Sequence, residues 1–96
     1  MGERVVSQNY ERLTQPERAQ LRGRYVSAQD GRCHHCGGAL DQEPPENITS
    51  KPINWKRFPP NFTRWPVHLH HSHKTGMTIG AVHALCNAVL WQYHGE

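Results

Sequence analysis

The sequence predicts a small α+β domain: an N-terminal helix, a cysteine knuckle, a long irregular loop, a β-hairpin and a C-terminal helix. Three observations predict it. The chain has 96 residues, 35% of them hydrophobic, with seven prolines and eight glycines. Residues 1–96 therefore make one domain, with a core too small to hold it unaided. Cysteine and histidine recur at a two-residue gap, as Cys33-x-x-Cys36 and His83-x-x-Cys86. Between these pairs, two strand-like runs meet at Thr75-Gly76 and lead into an amphipathic stretch.

The elements follow in order. Residues 1–13 show no clear period and are expected to be frayed. At Thr14–Glu17 the chain reads TQPE. Thr14 can accept from the Glu17 amide while the Glu17 carboxylate reaches back, which makes a capping box. Pro16 suits a first turn, where its missing N–H would have been unpaired anyway. The helix should run over about 14–28, with Leu21, Tyr25 and Val26 as its apolar face and Asp30-Gly31 as its stop. In CHHCGGAL, the glycines Gly37-Gly38 permit the tight turn of a metal knuckle over 33–38. Residues 41–66 are rich in Pro, Asn and Thr without period, and are expected to be an irregular surface insertion. A loop of that length in a small domain is often functional. The ββα core spans 67–94: a strand over Val67–Lys74, a turn, a strand over Met77–Val82, and a helix from Ala84 to Tyr93. Leu85, Ala88, Val89 and Gln92 would share one helix face.

Three cysteines cannot pair off completely, so a disulfide framework is not expected, and a metal staple is the usual remedy for so small a core. Structural zinc takes four ligands in a tetrahedron. Cys33, Cys36, His83 and Cys86 supply such a Cys3His set. His34, His35 and His94 are alternatives for the fourth position, and free thiols among chance histidines are the competing reading. Reduced cysteines, with no membrane-length apolar run and no signal peptide, place the protein in the cytoplasm and away from membranes. Gly2 is followed by Val6 where a myristoylation signal needs Ser or Thr.

Charge is uneven. The net charge is +3, but no acidic residue lies between Glu46 and Glu96. That stretch carries Lys51, Lys56, Arg57, Arg64 and Lys74, interleaved with Trp55, Phe58, Phe62 and Trp65. Basic residues among aromatics form an electrostatic footprint for nucleic acid, against the plainer reading of a solvated basic loop. Once His83 is set aside, His68, His70, His71 and His73 remain in one short run. On an ideal strand His68 and His70 share one face, and His71 and His73 the other. A local bulge would let His70 and His71 converge on one cleft.

These residues carry a resemblance. The run HHSHKTGMTIGAVHALCN, His70–Asn87, is similar to the ββα-metal (His-Me finger) motif of HNH endonucleases, closest to the recombination endonuclease VII-like branch, in which two Cys pairs bracket the hairpin. The matching positions are His70, His71, His73, Lys74-Thr75-Gly76, Gly80, the His83/Cys86 pair and Asn87. It covers Cys33–Cys36 and about His68–Tyr93, under half the chain. Two departures stand out. The pattern's Arg-Gly is Ile79-Gly80 here, so a phosphate-binding arginine is missing, and the second Cys pair is His83-x-x-Cys86. A His-His pair in place of Asp-His resembles the nuclease colicins.

The resemblance implies a zinc-stapled ββα-metal fold and a DNA endonuclease that leaves 5′-phosphate and 3′-hydroxyl ends, nicking one strand per active site. It implies that His70 and Asn87 hold one divalent cation (Mg2+, Mn2+, Co2+ or Ni2+), that His71 is the general base, and that His73 is a third ligand or phosphate contact. Small proteins of this kind are often encoded by phages or prophages, some near packaging genes, so packaging proteins are expected partners by analogy. Two rivals stand beside this reading: a non-catalytic zinc module that binds nucleic acid through the basic, aromatic loop, and a zinc-stapled protein–protein adaptor.

Overall fold

The computed structural model describes residues 5–95, which form a small α+β unit built on a two-stranded antiparallel sheet. The order is α1 (Gln15–Ala28), α2 (Glu46–Thr49), β1 (Val67–His71), β2 (Thr78–His83) and α3 (Ala84–His94), with 3-10 turns at Tyr10–Arg12 and Trp55–Arg57.

Helix α1 starts where its capping box dictates. Thr14 Oγ1 accepts from the Glu17 amide at 3.3 Å, and Glu17 Oε1 accepts from the Thr14 amide at 2.9 Å. It ends before Asp30 and Gly31, both at positive φ. Leu21 and Tyr25 bury its inner face, and the Tyr25 hydroxyl lies 2.9 Å from Thr78 Oγ1 on β2. The two adjacent residues Ala81 and Val82 are both fully buried. Side chains alternate along a strand, so β2 is covered on both faces. Helices α1 and α3 provide the cover, each in contact with both strands. The core joins Leu21 and Tyr25 to Leu40, Ile48, Leu69 and Val89 through this sheet.

The outer edge of β2 is fastened by side chain and backbone together. The Gln29 amide accepts from Ala81 N at 2.8 Å and donates to Ala81 O at 2.9 Å. His34 N also donates to Ala81 O, at 2.9 Å, which ties the cysteine knuckle to the strand. Gly80 permits this approach: a Cβ there would sit 2.8 Å from Gln29 Oε1 and 3.0 Å from His34 Cγ.

Three expectations need correction. Of residues 1–13, expected to be frayed, 1–4 lie outside the described residues, and 5–13 lie along the hairpin instead: Thr78 N donates to Gln8 O, and Tyr10 N to Gly76 O, both at 2.8 Å. The stretch 41–66, expected to be irregular and superficial, contains α2 and a 3-10 turn, and its Ile48 joins the core. It is clamped onto α3, since Gln92 accepts from Asn54 N at 2.9 Å and donates to Pro52 O at 3.0 Å. Strand β1 ends at His71 rather than Lys74, because the chain turns at Ser72, whose carbonyl accepts from Gly76 N at 2.8 Å. Among the described residues no helix is long and apolar enough to cross a membrane.

Candidate metal centre and histidine cleft

The knuckle and the β2–α3 junction bring four ligand-capable side chains together. The ligand atoms of Cys33, Cys36, His83 and Cys86 all lie within 4.8 Å of one another, so the cluster could hold a metal ion, and its donor set is that of structural zinc. Cys33, His83 and Cys86 are buried. The imidazole of His83 is oriented unambiguously. Its Nε2 lies 2.9 Å from both Ala39 O and Gln42 O, which can only accept, so Nε2 carries the proton. Nδ1 is then a free lone pair, 3.4 Å from Cys36 Sγ and 3.6 Å from Cys86 Sγ. A ring nitrogen that is anchored to carbonyls while the other faces the metal is the usual outer support of a histidine ligand. Backbone amides of His35 and Gly38 donate to Cys33 Sγ and Cys36 Sγ, each at 3.4 Å. The Cys33 thiol is held down to about 3 by its hydrogen bond with Cys86, against the opposing effect of burial. The Cys86 thiol is pushed up by the same contact and by burial. Zinc fits this donor set. His34, His35 and His94 lie outside the cluster.

On the other side of α3, a chain of side-chain hydrogen bonds links that helix to β1. Asn87 Oδ1 lies 3.2 Å from His70 Nδ1, and Asn87 Nδ2 lies 3.1 Å from His68 Nδ1. The amide nitrogen can only donate, so His68 accepts on Nδ1, and the amide oxygen is left facing His70. Two ligands in adjacent positions about 2.1 Å from one cation stand about 3 Å apart. The His70–Asn87 distance is that of a hydrogen bond with Nδ1 as donor, and it equals the spacing of such a pair for an imidazole protonated on Nε2 instead.

Beside this chain lies a cleft of about 920 Å³, lined by residues of α1, the loop, β1 and α3. It takes in four residues of β1, Val67, His68, Leu69 and His71, and so runs along that strand's outer edge. His73 and Asn87 also line it. The His71 ring is stacked on Tyr10, with centroids 4.0 Å apart and 9° between planes, and the Arg18 guanidinium covers the Tyr10 ring at 3.8 Å. The His73 ring lies 5.2 Å from that of His71. Burial lowers the pKa of His71, and the neighbouring charges of His73, His70 and Arg18 add to this against Glu11. Burial likewise lowers that of His68, helped by Arg22 and opposed by backbone groups of Phe62 and Trp65. Both imidazoles are accordingly neutral at neutral pH.

The register shifts between His70 and His71, where a bulge would bring the two rings to one cleft. The extra residue is Ile79 on β2, however: His70 pairs with Gly80 and His71 with Thr78. Strand β1 keeps its alternation, so His70 stays against α3, 3% exposed, and does not line the cleft, while His71 does. Asn87 touches His70 and also lines the cleft.

No family model, no curated protein and no solved structure matches the chain.

Sequence reasoning left four residues of this site without a role. His68 was visible as one more imidazole, but its partnership with Asn87 depends on the helix angle. Arg18 and Arg22 lie a turn apart on α1 and line the cleft, where only the loop's basic residues had been considered. Tyr10 falls in a segment without periodicity, and nothing in the sequence marks it as the platform for His71.

Proposed function

We propose that the protein is a metal-dependent DNA endonuclease of the HNH type, hydrolysing phosphodiester bonds to 5′-phosphate and 3′-hydroxyl ends, one strand per active site. The observation that carries the reading is the 3.2 Å contact between His70 and Asn87, next to a neutral, half-buried His71 on an arginine-lined cleft. Under this reading His70 Nδ1 and Asn87 Oδ1 hold a divalent cation, which when bound supplies charge neutralisation at the scissile phosphate and the leaving 3′-oxygen. His71 takes the proton from the attacking water. Its ring plane is fixed by Tyr10, and its lowered pKa keeps a lone pair available. Such a positioned base contributes about 10²–10⁴ in rate. His73, exposed at the cleft mouth, contacts the phosphate or completes the cation's ligands. Arg22 and Arg57 take over the missing arginine of the Ile79-Gly80 position.

Plasmid nicking tests the reading. Zinc-loaded protein with added Mn2+, Co2+ or Ni2+ should convert supercoiled plasmid to open circles, because imidazole at His70 suits transition metals. His71→Ala and Asn87→Ala should each abolish it. Cleavage by His71→Ala at the wild-type rate would remove the base assignment. One observation favours a second reading, a non-catalytic zinc module binding nucleic acid: His70 is buried away from the cleft. Binding without nicking under any divalent cation would select it.

A further inference from the structure

We propose that the cleft receives an unpaired stretch of DNA strand, with one base laid on Trp65 and the adjoining phosphates held by Arg22 and Arg57. This names the substrate class of the nuclease reading, and it rests on that reading only for the use made of the bound strand.

Charge comes first. Arg18, Arg22 and Arg57 line the cleft together with three histidines, and among the described residues no carboxylate does. Arg18 is engaged with Tyr10, both through its ring and through two hydrogen bonds to the Tyr10 carbonyl at 3.2 and 2.9 Å. Arg22 and Arg57 come from different elements, α1 and the 3-10 turn of the loop, so successive phosphates of one strand can be met by both. A cleft lined by cations and low-dielectric aromatic walls concentrates polyanions.

The aromatic residues then divide into two sets. Phe58 packs against Trp55, Phe62 and Trp91, and Phe62 against His68, so most of these rings serve the fold by fastening the loop to α3 and β1. Trp65 stands apart. It is 66% exposed and lines the cleft, and among the described residues its ring pairs with no other ring and with one cation, the Arg64 guanidinium at 5.5 Å. A large ring left in water contributes little to folding. Beside a cationic cleft, it offers the flat face on which a nucleic-acid base stacks.

Geometry decides between strand forms. In a duplex each base face is already covered by its neighbours, and only edges reach the grooves. A tryptophan face is therefore useful only to a base that has left the stack. The cleft volume of about 920 Å³ is near the upper end for small-molecule sites, enough to enclose a short piece of strand and far too small for a duplex. His71 and Asn87 line the same cleft, which puts the backbone next to the stacked base within their reach.

The test is binding, measured apart from cleavage. Zinc-loaded His71→Ala protein without added divalent cation is titrated into a fluorescein-labelled oligonucleotide, either single-stranded or annealed to its complement. The single strand should bind more tightly at equal salt. In the same background, Trp65→Ala should weaken single-strand binding about tenfold, leave duplex binding unchanged, and be largely rescued by Trp65→Phe. Arg22→Ala and Arg57→Ala should each flatten the salt dependence of single-strand binding by about one phosphate contact. Duplex bound as tightly as single strand, or Trp65→Ala acting equally on both, would overturn the proposal, and so would RNA bound in preference to DNA. The nuclease reading fails separately: a protein with this binding preference that never nicks loses the chemistry and keeps the strand site, while one that nicks but prefers duplex keeps the chemistry and loses the site.

Discussion

Replacing His83 separates the metal's share of stability from that of the core. At roughly 0.05–0.15 kcal/mol per residue, a chain of this length has a total stability of about 5–14 kcal/mol, whereas structural zinc in small domains supplies about 10–16 kcal/mol of apparent folding free energy. The metal term is as large as the whole, so His83→Ala, or chelation of the wild type, should leave no cooperative folded state at 25 °C. His83→Cys asks a finer question. A thiolate restores four ligands, but Ala39 O and Gln42 O, both 2.9 Å from Nε2, lose that donor, and only Ala39 O keeps another, the Gln42 amide at 3.2 Å. Gln42 is exposed and Ala39 half-buried, so the loss is that of an ordinary hydrogen bond, about 0.5–1.5 kcal/mol. At about 4–8 °C per kcal/mol for a domain of this size, the melting temperature should fall by roughly 2–12 °C with zinc retained. The assay is thermal unfolding by circular dichroism, with zinc release followed by a chromogenic chelator. A chelated wild type that melts cooperatively within a few degrees of the loaded protein would refute the reasoning, because the core alone would then suffice. A His83→Cys protein as stable as wild type would refute the part assigned to Nε2.

Three further outcomes follow from the geometry. Gly80→Ala should cost about 1–3 kcal/mol by urea denaturation, since its Cβ would press on Gln29 and His34; an unchanged midpoint would mean that the Gln29 clamp is loose. His68→Phe removes the acceptor that orients the Asn87 amide and should slow nicking by about 10–100-fold while melting stays within a few degrees, so equal nicking would remove His68 from the site. The acid limb of the nicking rate should lie below the ordinary imidazole range, because His71 is shifted down by burial and by His73, His70 and Arg18 against Glu11. For stability the sign is the same: the unfolded chain binds protons on His71 and His68 before the folded one does. That contribution is full above about 6.5 and is lost as pH falls from there to the lowered folded values, which pH-dependent urea midpoints would show as a decline on acidification.

The parts of the fold that could be read in advance are those with a side-chain signature. The TQPE capping box, the positive-φ stop at Asp30-Gly31, the two-residue gaps of Cys33/Cys36 and His83/Cys86, and the turn at Gly76 each depend on a residue type that few others can replace. What escaped depends on backbone pairing or on distant surfaces. Residues 5–13 dock on the hairpin through the carbonyl of Gln8 and the amide of Tyr10, groups that every non-proline residue has. The segment around Ile48 and Ile53 carries too few apolar residues for a period, and it is ordered by α3 rather than by its own propensity. Gln92 looked like one edge of an apolar helix face. Its amide instead fastens the loop backbone, a role that appears only once Pro52 and Asn54 are beside it. The bulge could be guessed from the crowding of histidines, but not which strand would hold the extra residue, and that choice decides which of His70 and His71 opens to solvent.

The adjacency of Cys86 and Asn87 explains why a metal on one side of α3 matters to a cleft on the other. Consecutive residues on a helix point about 100° apart, so the first turn of α3 sends Cys86 into the zinc cluster and Asn87 towards β1. Sliding or rotating the helix by a single residue would carry the amide about 1.5 Å along its axis and a quarter-turn away. The Asn87 contacts, 3.2 Å to His70 and 3.1 Å to His68, are already at the long end for hydrogen bonds and leave no room for that. Helix position is fixed at its start by Cys86, together with His83 on the preceding strand end, and near its end by Gln92 and Tyr93 on the Pro52 carbonyl. Of these, Cys86 and His83 are buried, whereas the Gln92 and Tyr93 contacts are exposed. The cluster thereby acts as the fixed point from which the Asn87 amide is aimed, and the histidines of β1 keep their contacts with it only while the cluster is intact.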